Sequence, residues 1–348
     1  MTDLVIWETG HYGIWIKSLG LNGIDSIKNN SILIENCSFE HTGGSGFVGS
    51  HLSKELLKDS KNKLIIIDNL LTGNLENIQE LIDHSNVKFI QQDVQDHIEI
   101  DEKVDYIFHL ASAASPVAYT ENPINTLKAG SLGTINTLGL AKKHNAEYFL
   151  ASTSEVYGDP LITPQNEEYW GNVNPNGERS MYDEAKRFAE AATATYARTY
   201  NLKTKIIRIF NTYGPNMQLN DGRVVTNLIV QALNNEDLTI YGDGSQTRSF
   251  SYVSDTVAGI IAMMKSDHYE VFNIGNPYEM TIKELAETIL SIVGSKSKII
   301  YQPLPNDDPK QRRPDISKAK EKLNWEPKVD LESGLKITVE WIKQELTK

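Results

Sequence analysis

The sequence predicts an α/β protein built on a doubly wound, mostly parallel sheet, with a smaller C-terminal lobe. Three observations carry that expectation. Leu64-Ile65-Ile66-Ile67 is an uninterrupted apolar run ending at Asp68, as in a strand covered on both faces. A glycine-rich stretch, Gly43 to Gly49, stands directly before apolar positions with helical spacing, Leu52, Leu56 and Leu57. Short apolar runs then alternate with helix-patterned segments as far as Phe210.

The elements follow in order. The first 36 residues form an atypical extension. Before Gly43, where a buried strand belongs, stands Cys37-Ser38-Phe39-Glu40-His41-Thr42. A carboxylate there is costly in a two-faced sheet unless it is paired. Ile32-Leu33-Ile34 is a better strand but lies too far back to enter Gly43 directly. Either an irregular first strand or a displaced N-terminal segment is therefore expected. Residues 37–211 form the main nucleotide-binding domain, with further strands at Val87–Ile90, Val104–Leu110, Glu147–Ser152 and Ile206–Phe210. Asp159 to Gly177 is rich in Pro, Gly and Asn and reads as a loop; Tyr182 to Tyr200, alanine-rich and without proline, reads as a helix. Residues 212–348 form mainly a substrate-binding lobe, with a possible return to the first domain at Val271–Ile274.

Composition narrows the function. The 348 residues carry a net charge of -12 and 40% hydrophobic residues. The charge disfavours nucleic acid as a partner, since nonspecific binding there needs a basic footprint. Cys37 is the sole cysteine, which excludes an intrachain disulfide, and the scattered histidines offer no metal site. No signal peptide and no membrane-length apolar run is visible, so a soluble, reducing, cytoplasmic setting is expected.

Gly43, Gly46 and Gly49 form a GxxGxxG pattern. The first two permit a tight turn and close approach of backbone amides to a pyrophosphate. The third lets the following helix, beginning near Phe47 and Val48, approach the sheet with its N-terminal amides toward the anion. Alone, the pattern is compatible with a flexible turn; the helix behind it and the strand ending at Asp68 make it a Rossmann-like dinucleotide site. Asp68 can accept hydrogen bonds from the adenosine ribose, and its charge opposes a 2′-phosphate, favouring NAD over NADP. Asn69 adds no countercharge. Asp93 and Val94, after another short strand, are candidates for contact with adenine.

Chemistry is carried by Thr153-Ser154-Glu155 and by Tyr182-Asp183-Glu184-Ala185-Lys186. Tyr182 and Lys186, four apart, share one helical face. Tyrosine, with an ordinary pKa of about 10, is a poor base at neutrality; a nearby ammonium and a positive nicotinamide favour the phenolate. Tyr182 can then take a proton from a sugar hydroxyl while hydride leaves the adjoining carbon. Thr153 is the favoured hydroxyl partner and Ser154 a second one. Glu155 can orient substrate, or simply hold the adjacent polar loop.

These residues, together with Ala151 through Pro160, Tyr169 through Pro175, Arg208 through Pro215, Asp221 through Val225, Tyr241 through Phe250 and Asp308 through Ile316, resemble the UDP-glucuronate decarboxylases (UDP-xylose synthases) of the extended short-chain dehydrogenase/reductase family. The resemblance spans Gly43 to Gly334. It implies oxidation at C4 of UDP-glucuronate, loss of carbon dioxide from the resulting β-keto acid, and reduction to UDP-xylose, with NAD storing the hydride. It places Glu155 and Arg312 around the reacting sugar, with Arg312 meeting the uronic carboxylate. Asn211, Arg223 and Arg248 become candidates for the diphosphate surroundings. Tyr241 becomes a candidate for stacking near uracil, unless it is a core aromatic instead. Lys310 and Arg313 are expected to support the local fold, and a homodimer is implied.

Related 4,6-dehydratases use an acid where Ser154 stands, and Ser154 is a poor donor for expelling a C6 hydroxyl. A 4-epimerase gives less purpose to the Arg312 segment. A UDP-apiose/xylose synthase, a decarboxylase releasing the 4-keto-pentose, and a nonenzymatic NAD/UDP-sugar sensor are also compatible with these residues. Gly130 departs from the resemblance: it stands where many relatives have asparagine, and supplies no side-chain hydrogen bond.

Overall fold

The computed structural model describes residues 31–35, 43–303 and 311–348. Cys37, Glu40, His41 and Lys310 lie outside the described residues.

Seven strands form the main sheet, in the order Val271–Ile274, Thr204–Ile209, Glu147–Thr153, Tyr106–His109, Ser31–Glu35, Lys63–Asp68 and Val87–Gln91. Every pairing is parallel. Parallel neighbours require crossovers, which place helices on both faces. Phe47–Leu57 and Val253–Lys265 pack on one side, Thr134–His144 and Ser180–Tyr200 on the other. The strand residues divide accordingly. Leu64 and Ile66 join the core containing Phe47, Val48, Leu52 and Phe108, while Ile65 and Ile67 join Ile107, Leu138, Tyr148 and Leu150. That two-sided demand explains why Leu64–Ile67 shows no polar alternation.

The strand that precedes the glycine turn is Ser31–Glu35, at the sheet's centre between Lys63–Asp68 and Tyr106–His109. The sequence-based expectation that Ile32–Ile34 lies too far back is corrected to this extent: these residues do form the first strand. Seven positions, 36–42, separate it from Gly43 and lie outside the described residues. The strand order reverses between Ser31–Glu35 and Tyr106–His109, and such a switch point opens a crevice at the carboxyl ends of the strands.

Val271–Ile274 pairs with Thr204–Ile209, so the chain re-enters the main sheet after leaving it. The rest of the C-terminal half builds small sheets. Leu238–Tyr241 pairs with Ile299–Gln302, and Thr212–Tyr213 with Ser251–Tyr252. A third contains Glu279–Thr281, Thr247–Ser249 and Gln311–Arg312, with Arg312 in register with Arg248. Gln165 clamps this tail to the 159–175 loop: its N–H donates to Arg313 O (2.8 Å), its Oε1 accepts from Arg313 N (2.8 Å), and its carbonyl accepts from Asp315 N (2.7 Å). Residue 312 is thereby fixed against the end of the Glu147–Thr153 strand.

Candidate active site

The glycine turn closes through Gly46 N–H donating to Gly43 O at 2.9 Å. A Cβ at Gly49 would stand 2.3 Å from that same carbonyl oxygen, so only glycine admits this approach of helix to turn. The Phe47–Leu57 helix has no side-chain cap at Gly46, leaving its first amides to be satisfied from outside the helix. Asp68 is fully buried at the carboxyl end of the adjacent strand. Its carboxylate accepts from the Ser45 N–H and hydroxyl and from Leu70 N–H at 2.8 Å. Burial holds its pKa above the ordinary carboxylate range, offset only in part by the Ser45 and Leu70 hydrogen bonds. The aspartate therefore organises the turn from the end of its strand. Asn69 donates to Asp93 Oδ2 at 2.8 Å, joining two strand ends. Val94 is fully buried, and its carbonyl accepts from Asn136 at 2.8 Å. An uncapped helix N-terminus, a backbone cradle that a Cβ would fill and a carboxylate at the next strand end fit a dinucleotide such as NAD.

The second half of the site is assembled where Glu147–Thr153 ends and Ser180–Tyr200 begins. Tyr182 is buried and its phenol hydrogen-bonds the Thr153 side chain. Tyr119 stacks beneath it, with ring centroids 5.4 Å apart and planes 11° from parallel. Burial pushes the Tyr182 phenol well above its ordinary pKa; the Thr153 bond pulls it down, while Glu155 and Asp183 push it further up. Lys186, also buried, donates from Nζ to Ala151 O at 2.9 Å. His109 is fully buried, and burial together with the Lys186 ammonium lowers it to about 3, so it stays neutral.

Arg312, from far along the chain, inserts opposite. Its Nη1 donates to Ser154 Oγ (3.0 Å) and Glu155 Oε1 (2.9 Å), and its Nη2 to Glu155 Oε2 (3.3 Å) and Gly158 O (3.2 Å). Arg179 also binds Glu155 Oε2. Burial pushes the Glu155 carboxyl up, but Arg312, Arg179 and Arg248 outweigh it and hold the group below its usual range. Asp183, on the same helical turn as Tyr182, has no comparable partner. Its Oδ1 is buried without a hydrogen bond among the described residues, and burial followed by Glu155 repulsion raises it to about 7.

The structure brings Thr153, Ser154, Glu155, Tyr182, Lys186 and Arg312 into one cluster, with Arg248 contributing its field. The remaining candidates stand apart from it in their contacts. Arg223 is engaged by Asp221 through Nε at 2.6 Å and through Nη2. Asn211 O accepts from Ser251 N–H at 2.8 Å. Tyr241 is 46% exposed at a strand end, so it is not a core aromatic.

The chain is similar in sequence and in fold to known proteins. A family model described as GDP-mannose 4,6 dehydratase matches residues 42–338. A UDP-glucuronic acid decarboxylase 1 from Danio rerio is 52% identical over 305 residues, covering 88% of this chain and 72% of the relative. UDP-glucuronic acid decarboxylase 6 from Arabidopsis thaliana is 49% identical, covering 90% and 91%. The chain belongs to the UDP-glucuronic acid decarboxylase family. A solved UDP-glucuronic acid 4-epimerase from Bacillus cereus, in complex with UDP-glucuronic acid and NAD, superimposes with a TM-score of 0.80. It is 28% identical and covers 90% of this chain and 99% of its own.

Sequence reasoning missed two residues that contact this cluster. Arg179 gave a faint signal, lying four residues before Asp183 and so one helical turn away. Tyr119 gave none, because its stacking on Tyr182 joins elements 63 positions apart.

Proposed function

We propose that this chain converts UDP-glucuronate to UDP-xylose and carbon dioxide with NAD as its cofactor, through a UDP-4-keto-hexuronic acid. The observation that carries the reading is Arg312 seated against Ser154 and Glu155 beside the Tyr182–Lys186 helix. A guanidinium there suits a uronic carboxylate, and relatives about half identical in sequence bear the decarboxylase name.

NAD, when bound, holds the hydride of C4 between oxidation and reduction and brings a positively charged ring to the site. Tyr182 takes the proton of the C4 hydroxyl as the carbonyl forms. The raised phenol pKa makes it unsuited to this alone; Lys186 and the ring's charge favour the phenolate. Thr153, hydrogen-bonded to the Tyr182 phenol, holds it in line with that oxygen. The 4-keto acid carries its carboxylate on the adjacent carbon. The C5–C6 bond breaks, carbon dioxide leaves, and the electron pair passes into an enolate stabilised by these donors. C5 takes a proton from water, Tyr182 returns its proton to O4, and the stored hydride would go back to C4.

Arg312 orients the carboxylate without gripping it, because most of its hydrogen bonds are already given to Glu155, Ser154 and Gly158. Its Nε–H, buried and without a hydrogen bond among the described residues, is the donor left over. A grip tighter than this would stabilise the ground state more than the transition state. Gly43, Gly46, Phe47, Val48 and Gly49 serve the pyrophosphate, Asp68 and Asn69 the ribose, and Asp93 and Val94 the adenine side. Asn211, Arg223, Tyr241 and Arg248 serve the UDP portion.

The assembly proposed is a homodimer. Ile124, Leu127, Leu132, Ile135 and Phe188 leave an apolar face exposed on the 123–144 segment and the adjacent 180–200 helix, and a second copy would cover it. No helix of the described residues is long and apolar enough to cross a membrane. A cytoplasmic location is proposed. Incubation with UDP-glucuronate and NAD, followed by mass analysis of gas and nucleotide product, tests the activity. Carbon dioxide with UDP-xylose is expected; an epimerised UDP-hexuronate with no gas overturns the reading.

A further inference from the structure

The segment opposite the Tyr182–Lys186 helix is unusual in its backbone and in its contact. Ala129–Gly133 forms a π-helical turn between the Pro123–Lys128 and Thr134–His144 helices. Such turns interrupt the regular hydrogen-bond ladder and are concentrated at functional sites. Gly130 within it is buried. A Cβ built there would stand 2.6 Å from Ala185 Cβ and 3.1 Å from both the carbonyl carbon and oxygen of Ala185. Those atoms are short side chain and helix backbone, so no flexible end can move aside. Ala185 itself is buried and is followed in the chain by Lys186.

The turn is tied down on its other side. Thr134 Oγ1 donates to Gly130 O at 2.7 Å and lies 3.2 Å from His109 Nε2. His109 sits at the end of the Tyr106–His109 strand. With Gly130 O held in this way, an added methyl presses on the second turn of the 180–200 helix, where Ala185 sits. Lys186, held to Ala151 O at 2.9 Å, lies on that same turn, and Tyr182, held to Thr153, on the turn before it.

We propose that Gly130 is a positioning residue for Lys186 and Tyr182, acting through its contact with Ala185, and that these two small residues set the helix-to-helix distance as a matched pair. The inference rests on Tyr182 and Lys186 being the reacting pair, as proposed above. Gly130 contributes no side-chain hydrogen bond; its contribution is the space it leaves. Displacement approaching 1 Å at reacting groups costs on the order of 100-fold in rate.

The test compares Gly130→Ala, Ala185→Gly and their combination in the full chain with UDP-glucuronate and NAD. Gly130→Ala is expected to lower kcat about 10- to 100-fold with KM changed less than about 3-fold. The combined variant, which removes the opposing methyl, is expected to recover to within about 3-fold of the parent. The pH profile gives a readout that fold stability does not move. Moving the ammonium away from the phenol shifts the rising limb of kcat to higher pH, and the combined variant shifts it back. The titratable groups acting on the phenol, Glu155, Asp183 and Tyr119, and the Arg179 and Arg312 guanidiniums paired with Glu155, stay unchanged throughout.

Parent-like kcat in folded Gly130→Ala overturns the proposal, as does a folded combined variant that stays slow with an unshifted limb. Should Gly130→Ala not fold, Ala185→Val crowds the same contact from the other helix, and parent-like kcat there overturns it too. Tyr182→Phe runs alongside. If that variant retains turnover, the assignment of the reacting pair fails; if it is inactive while Gly130→Ala is normal, only the positioning role of Gly130 fails.

Discussion

Removing the Arg312 guanidinium is the most informative perturbation, because it separates a buried ion pair with Glu155 from the substrate contact proposed above. Arg312 is 2% exposed, and its partner Glu155 is 17% exposed at the side chain. Arg312→Ala deletes four hydrogen bonds and leaves the Glu155 carboxylate facing only Arg179, with the field of Arg248. Breaking a buried pair by removing one partner costs about 3–5 kcal/mol. For a chain of 348 residues, an unfolding entropy of about 2.1 cal/mol/K per residue gives roughly 0.7 kcal/mol/K, and so a fall of about 4–7 °C in Tm. Turnover is expected to fall about 10²-fold or more, as when a preorganised donor is lost.

The paired substitution Arg312→Met with Glu155→Leu separates the two duties. Replacing both charges by apolar groups is commonly neutral for stability, so Tm should recover while activity stays lost. The assays are a thermal melt and carbon dioxide release from UDP-glucuronate. An Arg312→Ala protein melting within about 1 °C of the parent refutes the buried pair, whatever its activity. Acidity adds a sign. The Glu155 carboxyl is held below its ordinary range, so its stabilisation is present above the unfolded pKa and is lost as pH falls through the folded one. The Arg312→Ala deficit should therefore shrink on acidification.

Tyr182→Phe should lower kcat about 10²- to 10⁴-fold while NAD affinity, measured by titration, stays within about 3-fold. Asp183→Asn should raise Tm at pH 8 relative to the parent and lose that advantage toward pH 5. The Asp183 carboxyl is raised to about 7, burial being the first cause; its contribution to stability is intact below the unfolded pKa and is lost as pH rises through about 7. A melt series from pH 5 to 8 showing no trend in the difference rejects this. Leu132→Glu, placing a charge on the exposed apolar face, should convert the proposed dimer to monomer in sedimentation; an unchanged oligomer size points to another interface.

Much of the site was legible from local sequence because its rules are local. Tyr182 and Lys186 share a helical face by spacing alone, and the glycine spacing of the turn is readable, with Gly49 at a point where backbone approach leaves no room for a Cβ. Ser31–Glu35 was harder. Its apolar core suits a strand, but the distance to Gly43 argued against it, and only its pairing with strands on both sides settled the matter. Tyr241 was ambiguous because apolar content does not distinguish a buried ring from an exposed one.

The sequence by itself determined the two-faced parallel sheet, the dinucleotide turn and the residue types of the chemistry, since each follows from periodicity or from spacing within a few residues. Tertiary structure decided which distant groups meet. Arg312 reaches Glu155 across 157 positions, Tyr119 slides under Tyr182, and Gly130 abuts Ala185. Burial, and with it the ionisation of Asp183 and His109, is likewise decided there. Such contacts depend on strand order and on the helix crossovers, and solvation depends on everything packed around a group, so neither is written in any local stretch of chain.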